Sequence, residues 1–92
     1  KKFPKRRRTK TIDGVSASGW FTEDFSLEEI KTLRARERLS FRDQSHNGRY
    51  QVPTFAEVLK LAQVEGHKRG RVIGVYPETK HPTYFTNLGL AL

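Results

Sequence analysis

The sequence predicts an α/β chain, and three features carry that prediction. A segment at 54–70 places apolar residues at helical spacing behind a capping signal. The β-branched and aromatic run RVIGVY follows directly at 71–76. An earlier segment, 25–39, begins with the same capping grammar. Helix, short loop and buried strand in that order are the αβ half of an α/β repeat.

From the N-terminus, KKFPKRRRTK (1–10) is poor in apolar residues and dense in like charge, so it is expected to be disordered or loosely held by itself. Asp13-Gly14 stands between β-branched residues, the strongest short hairpin signal, and predicts a small hairpin or turn within 11–21. Trp20 and Phe21 are read there as packing residues, with ligand stacking as the alternative.

The segment FSLEEIKTLRARERL (25–39) predicts a helix. Ser26 stands three residues before Glu29, the spacing of a capping box. Leu27, Ile30 and Leu33 share one face. Glu28 and Glu29 open the helix and Arg34, Arg36 and Arg38 close it, a polarity that suits the helix dipole without invoking a phosphate site. The stretch 40–53 reads as a polar loop with a turn at Asn47-Gly48. His46 lies in that loop with no second histidine at ligand spacing.

Thr54 and Glu57 form a second capping box, and Phe55, Val58, Leu59 and Ala62 follow at i, i+3, i+4 and i+7. Gly66 is the expected C-cap, with His67, Lys68 and Arg69 near the negative helix end. The run 71–76 lacks alternation, which predicts a strand covered on both faces, and Gly74 within it suggests close packing. Pro82 opens a loop or helical turn, and the chain ends in an apolar run.

Composition narrows the function classes. With 92 residues there is room for one small domain, and no cysteine provides a disulfide or thiolate site. No apolar run reaches the roughly 18 residues of a membrane helix. The formal net charge of +8 is uneven: 7 of the 18 Lys and Arg residues lie in 1–10, leaving 11 basic against 10 acidic side chains in the rest. A basic tip argues for nucleic acid less strongly than a basic face. Residues 1–10 read either as an arm for nucleic acid or an anionic surface, or as a connecting loop whose charges meet acids elsewhere. The second is favoured, because no aromatic stacking residues follow in a binding pattern. The lack of methionine and the apolar end suggest an excised piece of a longer protein.

Glu78 and Lys80 stand just past the end of the expected strand, where catalytic groups gather in α/β folds. They share side-chain parity on an extended chain. A carboxylate there suits a hard cation and a lysine suits a phosphate, while the plain alternative is a surface ion pair.

These residues carry a resemblance. IGVYPETKHP resembles the strand-end motif, apolar strand then Pro-Glu-x-Lys, of the glycerophosphodiester phosphodiesterases. GWFTEDFSLEEIKTLRARERL is similar to the family's helical insertion segment, found in periplasmic and secreted bacterial enzymes and their plant relatives, and VPTFAEVLKLAQ to the helix that leads into the strand. The similarity runs collinearly from about Thr9 to Leu92. It implies a fragment of a TIM (β/α)8 barrel with an inserted helical segment. Residues 1–50 would be basic head and insertion; residues 51–92 would be helix, barrel strand and following loop.

The resemblance further implies a metal-dependent phosphodiesterase that hydrolyses glycerophosphodiesters, such as glycerophosphocholine, to glycerol 3-phosphate and an alcohol. Glu78 matches the family's metal-binding glutamate, for Ca2+ or Mg2+, and Lys80 the lysine facing the substrate phosphate. Tyr76 and Pro77 frame the motif. The family's His-Arg-Gly segment, its Glu-x-Asp pair and its second catalytic histidine are absent here, so none of His46, His67 or His81 is assigned to catalysis and the fragment is expected to be inactive alone. The insertion is expected to cover the barrel mouth, with Trp20, Phe21 and Tyr50 as candidates for the alcohol group. Export to the periplasm or cell exterior follows by resemblance only. The competing function is a small basic nucleic-acid-binding module using residues 1–10, whose binding would weaken steeply with salt. A third is an interaction fragment without activity. Pro-Glu-x-Lys has no task in either.

Overall fold

The computed structural model describes residues 2–90. They form two compact units, one holding the residues up to Asp24 and those from Tyr76 onward, the other Phe25–Val75.

The first unit is built on a hairpin. Strands β1 (Arg8–Ile12) and β2 (Val15–Gly19) pair antiparallel, with Arg8 opposite Gly19 and Ile12 opposite Val15. Asp13 and Gly14 connect them with φ of 50° and 79°. Positive φ at both positions is the primed turn whose twist matches the flanking strands. Thr9 and Ser18, directly opposite, hydrogen-bond through their hydroxyls at 2.6 Å. The hairpin expected within 11–21 is therefore present and longer, beginning at Arg8. Single 3-10 turns, Pro4–Arg6 and Thr22–Asp24, flank it. Trp20, read as a packing residue, is exposed, and its Nε1 donates to the Phe3 carbonyl at 2.6 Å.

This corrects the expectation of disorder over the basic head. Residues 8–10 are strand and 4–6 a helical turn. Like charge does not keep them apart because acids of the same unit meet them. Lys10 Nζ lies 2.8 Å from Asp24 Oδ1 and 3.1 Å from Glu23 Oε1. The Arg6 guanidinium donates to the Asp24 carbonyl, and Arg8 stands 3.9 Å from the Asp24 carboxylate.

In the second unit, the capping box of Ser26 and Glu29 is formed as the sequence predicts. The helix it opens, α1 (Leu27–Lys31), is much shorter than 25–39. The backbone beyond it bonds elsewhere: Ala35 N–H donates to the Tyr50 carbonyl at 2.7 Å, Gly48 N–H to the Ala35 carbonyl at 3.0 Å, and Glu37 N–H to Asn47 Oδ1 at 2.7 Å. These cross-loop bonds replace the helical ladder, so Arg34, Arg36 and Arg38 do not close a helix.

Helix α2 (Phe55–Arg69) starts where its capping box predicts and runs past the end expected at Gly66. Thr54 accepts from Glu57 N–H at 3.2 Å, and the Glu57 carboxylate accepts from Thr54 N–H at 2.6 Å. Lys31 Nζ adds to that carboxylate at 2.5 Å and to the Val52 carbonyl at 3.0 Å, joining the start of α2 to the end of α1. The Lys31 bond, then the Thr54 amide, hold the Glu57 carboxyl below its usual range. Thr54→Ala removes one half of the box, and a loss of about 1 kcal/mol is expected, readable as a lower thermal midpoint with Thr54→Ser close to wild type.

The C-cap is Gly70, at φ 64°, and not Gly66 as expected. The left-handed turn needed to leave the helix falls four residues later, where the second glycine accommodates it. Gly66 instead lies inside α2 and is buried. Its carbonyl accepts from Arg71 N–H at 3.0 Å.

The strand expected at 71–76 is absent: no residue there has regular secondary structure, and Val72 and Tyr76 are fully exposed. A covered parallel strand needs neighbours on both sides. The one sheet among the described residues is β1–β2, which offers 71–76 no partner. Gly74 likewise has open space where close packing was expected. Ile73 and Val75 line an open groove with Leu59 and Ala62 of α2. Among the described residues no apolar side chain is fully buried, so polar bonds and caps define both units more than a core does.

Candidate functional site

The motif residues lie in the first unit, just after 71–76. Lys80 Nζ donates to Glu78 Oε1 at 3.1 Å, and both side chains are about seventy per cent exposed. The two candidate residues are thus brought together on the surface, in the ion-pair form that adds little stability by itself.

One residue later the backbone changes hand. His81 has φ 55° and ψ 50°, directly before Pro82, which opens helix α3 (Pro82–Asn87) as the sequence suggests. The imidazole does not cap α3. Its Nδ1 lies 2.6 Å from Asp13 Oδ2 at the hairpin turn. A carboxylate only accepts, so Nδ1 carries the hydrogen and Nε2 is the nitrogen left for other chemistry.

Helix α3 is tied to the same unit through Tyr84, whose hydroxyl donates to Glu23 Oε1. Glu23 and Asp24 side chains are largely buried, and Lys10 sits between them with its Nζ 4.9 Å from the Phe21 ring centroid. Partial burial works to raise the Glu23 pKa, but the Tyr84 hydroxyl, its own amide and Lys10 together bring it below its usual value. Lys10, above all, holds Asp24 below its usual range, and Asp24 in turn holds the Lys10 ammonium above its own. The Glu23 carboxylate raises the Tyr84 hydroxyl. At neutral pH the network is therefore ionised and mutually balanced, with Asp24 Oδ2 as its buried oxygen lacking a partner. Arg8 and Lys10 meet acids, as in the connecting-loop reading of the head, although the acids lie in this chain, and Arg6 donates to the Asp24 main-chain carbonyl.

Glu78 provides the hard oxygen that Ca2+ or Mg2+ takes. Among the described residues no three His, Cys, Asp or Glu side chains are grouped to hold a metal ion. The described residues therefore do not by themselves form a cation site, and Glu78 could serve one only with ligands from elsewhere. His46 is an exposed loop residue, its Nε2 3.7 Å from Asp43 and its ring 5.8 Å from that of Tyr50. His67 lines the groove beside α2. Phe21 carries a lysine on its ring, which opposes the stacking role considered for it.

Sequence reasoning missed Asp13, Glu23, Asp24 and Tyr84. A signal existed for two of them. A hairpin turning at 13–14 folds 20–24 back alongside the basic run, so the acids at 23 and 24 were its natural counter-charges. Nothing local links Asp13 to His81, 68 residues away.

No protein-family profile matches the chain. No solved structure matches it either. The curated proteins to which it is similar include three from Arabidopsis thaliana. It is 43% identical over 84 residues to glycerophosphodiester phosphodiesterase GDPD6, covering 91% of this chain and 22% of that protein. It is 34% identical over 65 residues to glycerophosphodiester phosphodiesterase GDPDL1, covering 70% of this chain and 8% of the other. With glycerophosphodiester phosphodiesterase GDPDL3 the figures are 35% over 46 residues, 50% of this chain and 6% of the other. The chain thus spans about a fifth of the first relative and less than a tenth of the others.

Proposed function

Because this chain is a partial member of the glycerophosphodiester phosphodiesterase family, matched over 84 of its residues, we propose that it supplies part of the site of a metal-dependent enzyme hydrolysing glycerophosphodiesters to glycerol 3-phosphate and an alcohol. The observation that carries this reading is the Glu78–Lys80 pair, 3.1 Å apart in the Pro-Glu-x-Lys motif. A carboxylate and an ammonium held side by side match the two needs of a phosphodiester, a cation ligand and a direct anion contact.

In this reading Glu78 is one ligand to a divalent cation, and the other oxygens come from elsewhere in a (β/α)8 barrel. A cation held there would offer positive charge to the substrate phosphate. Lys80 contacts a non-bridging oxygen and orients the phosphate. Glu78 also neutralises Lys80 before substrate arrives, which keeps the ammonium near its working position. The segment alone lacks the acid–base groups and has no activity. Export from the cytoplasm belongs to the same reading and rests on the insertion-type resemblance alone.

The test uses the full-length enzyme that contains this segment. Release of glycerol 3-phosphate from glycerophosphocholine is followed with added Ca2+ or Mg2+ and with chelator. Cation-dependent release supports the reading; no release under any cation sinks it. Lys80→Ala is expected to raise KM about tenfold, the loss of one charge-assisted contact, with a smaller change in kcat.

A further inference from the structure

Asp13 and His81 are the two non-glycine residues with positive φ among those described, and they are bonded to each other. Left-handed backbone is costly for a residue with a Cβ and persists where surroundings enforce it. Asp13 has a ready reason, since the primed turn demands it. His81 has none of its own, and Pro82 after it disfavours helical backbone at that position and favours extended. The restraint visible on the His81 side chain is the Asp13 carboxylate at 2.6 Å. Tyr84, three residues on, is gripped by Glu23 just beyond the hairpin. The first unit therefore holds the chain after the motif at two points. Lys80, bonded to Glu78, is the residue immediately before the first of them.

We propose that Asp13 and His81 are a positioning pair: the turn of the β1–β2 hairpin clasps the backbone at 81, and so fixes how Lys80 and Glu78 are presented to the phosphodiester. This rests on the function proposed above. Neither residue touches the reacting atoms in this role. The hairpin thereby becomes part of the site's support, tied to it by one short hydrogen bond between residues far apart in sequence.

The experiment compares wild type, Asp13→Ala, His81→Ala, the double variant and Asp13→Asn in the full-length enzyme. It reads Michaelis parameters for glycerophosphocholine and amide hydrogen exchange at 79–84. Each alanine variant is expected to raise KM about fivefold with kcat within about twofold, and the double variant to be no worse than either, as for two residues acting as one unit. Asp13→Asn keeps an acceptor oxygen and restores most of the loss. Exchange at 79–84 quickens in Asp13→Ala and stays near wild type in Asp13→Asn, which keeps both the turn and the acceptor. Multiplying effects in the double variant, or unchanged exchange at 79–84, overturns the clasp. Turnover absent from wild type, with the exchange change present, removes the enzymatic premise and the positioning role with it, leaving only the bond between turn and segment.

Discussion

Under the function proposed above, Glu78→Ala in the full-length protein is expected to lower kcat/KM for glycerophosphocholine about a thousandfold, and to raise the cation concentration required for half-maximal rate. A metal-held charge at a reacting phosphate contributes several kcal/mol, and each 1.4 kcal/mol is about tenfold in rate. The loss is not a stability effect. Glu78 is exposed and its partner is the exposed Lys80, so deleting the carboxylate opens no cavity and strands no buried charge. The melting temperature should therefore stay within about a degree or two of wild type while activity falls. Glu78→Gln, which keeps an oxygen but not the charge, should fall between. Lys80→Ala separates from both, because it raises KM without changing the cation requirement. If Glu78→Ala hydrolyses at the wild-type rate under limiting cation, the pair is only the surface ion pair its geometry allows.

What the sequence made legible here was what depends on neighbours in the chain. Both capping boxes, the Asp13-Gly14 turn and the start of α2 are set by residues within a few positions of one another, and all formed. Pro-Glu-x-Lys likewise brought its acid and base together because two positions separate them. The misreadings concern bonds made at a distance. The 25–39 helix stopped at Lys31 because residues 47–50 and the Asn47 side chain capture the polar groups of 35 and 37. RVIGVY has strand composition, yet a strand is a relation between segments, and among the described residues no second segment pairs with it. The basic head took structure from acids 13 to 18 residues away, and Asp13 found His81 at 68. Periodicity could not announce either.

Gly66→Ala should destabilise by about 1 kcal/mol, against the usual sign of that change. In a helix interior, alanine for glycine ordinarily gains about 1 kcal/mol by restricting the unfolded chain and favouring helix. At Gly66 a Cβ would stand 2.6 Å from the Arg71 carbonyl oxygen and 3.4 Å from the Ile73 amide nitrogen. The obstacle is backbone, not the end of a flexible side chain, and it is fixed by local bonds. Gly70 turns left-handed at φ 64° with its N–H on the carbonyls of Gly66 and His67, and Arg71 N–H then bonds the Gly66 carbonyl. The chain leaving α2 is thereby laid back across the helix's last turns at the one place where a hydrogen replaces a methyl group. A Cβ must either break the Arg71–Gly66 bond or push 71–73 outward, and displacements of this kind cost about 1–3 kcal/mol. The collision therefore outweighs the gain in helix propensity. Thermal melting of the full-length protein reads the sign directly, with Gly70→Ala as a second probe, destabilising because of φ rather than space. A higher melting temperature in Gly66→Ala would mean that 71–73 does not lie against α2, and the groove formed by Leu59, Ala62, Ile73 and Val75 would lose its wall.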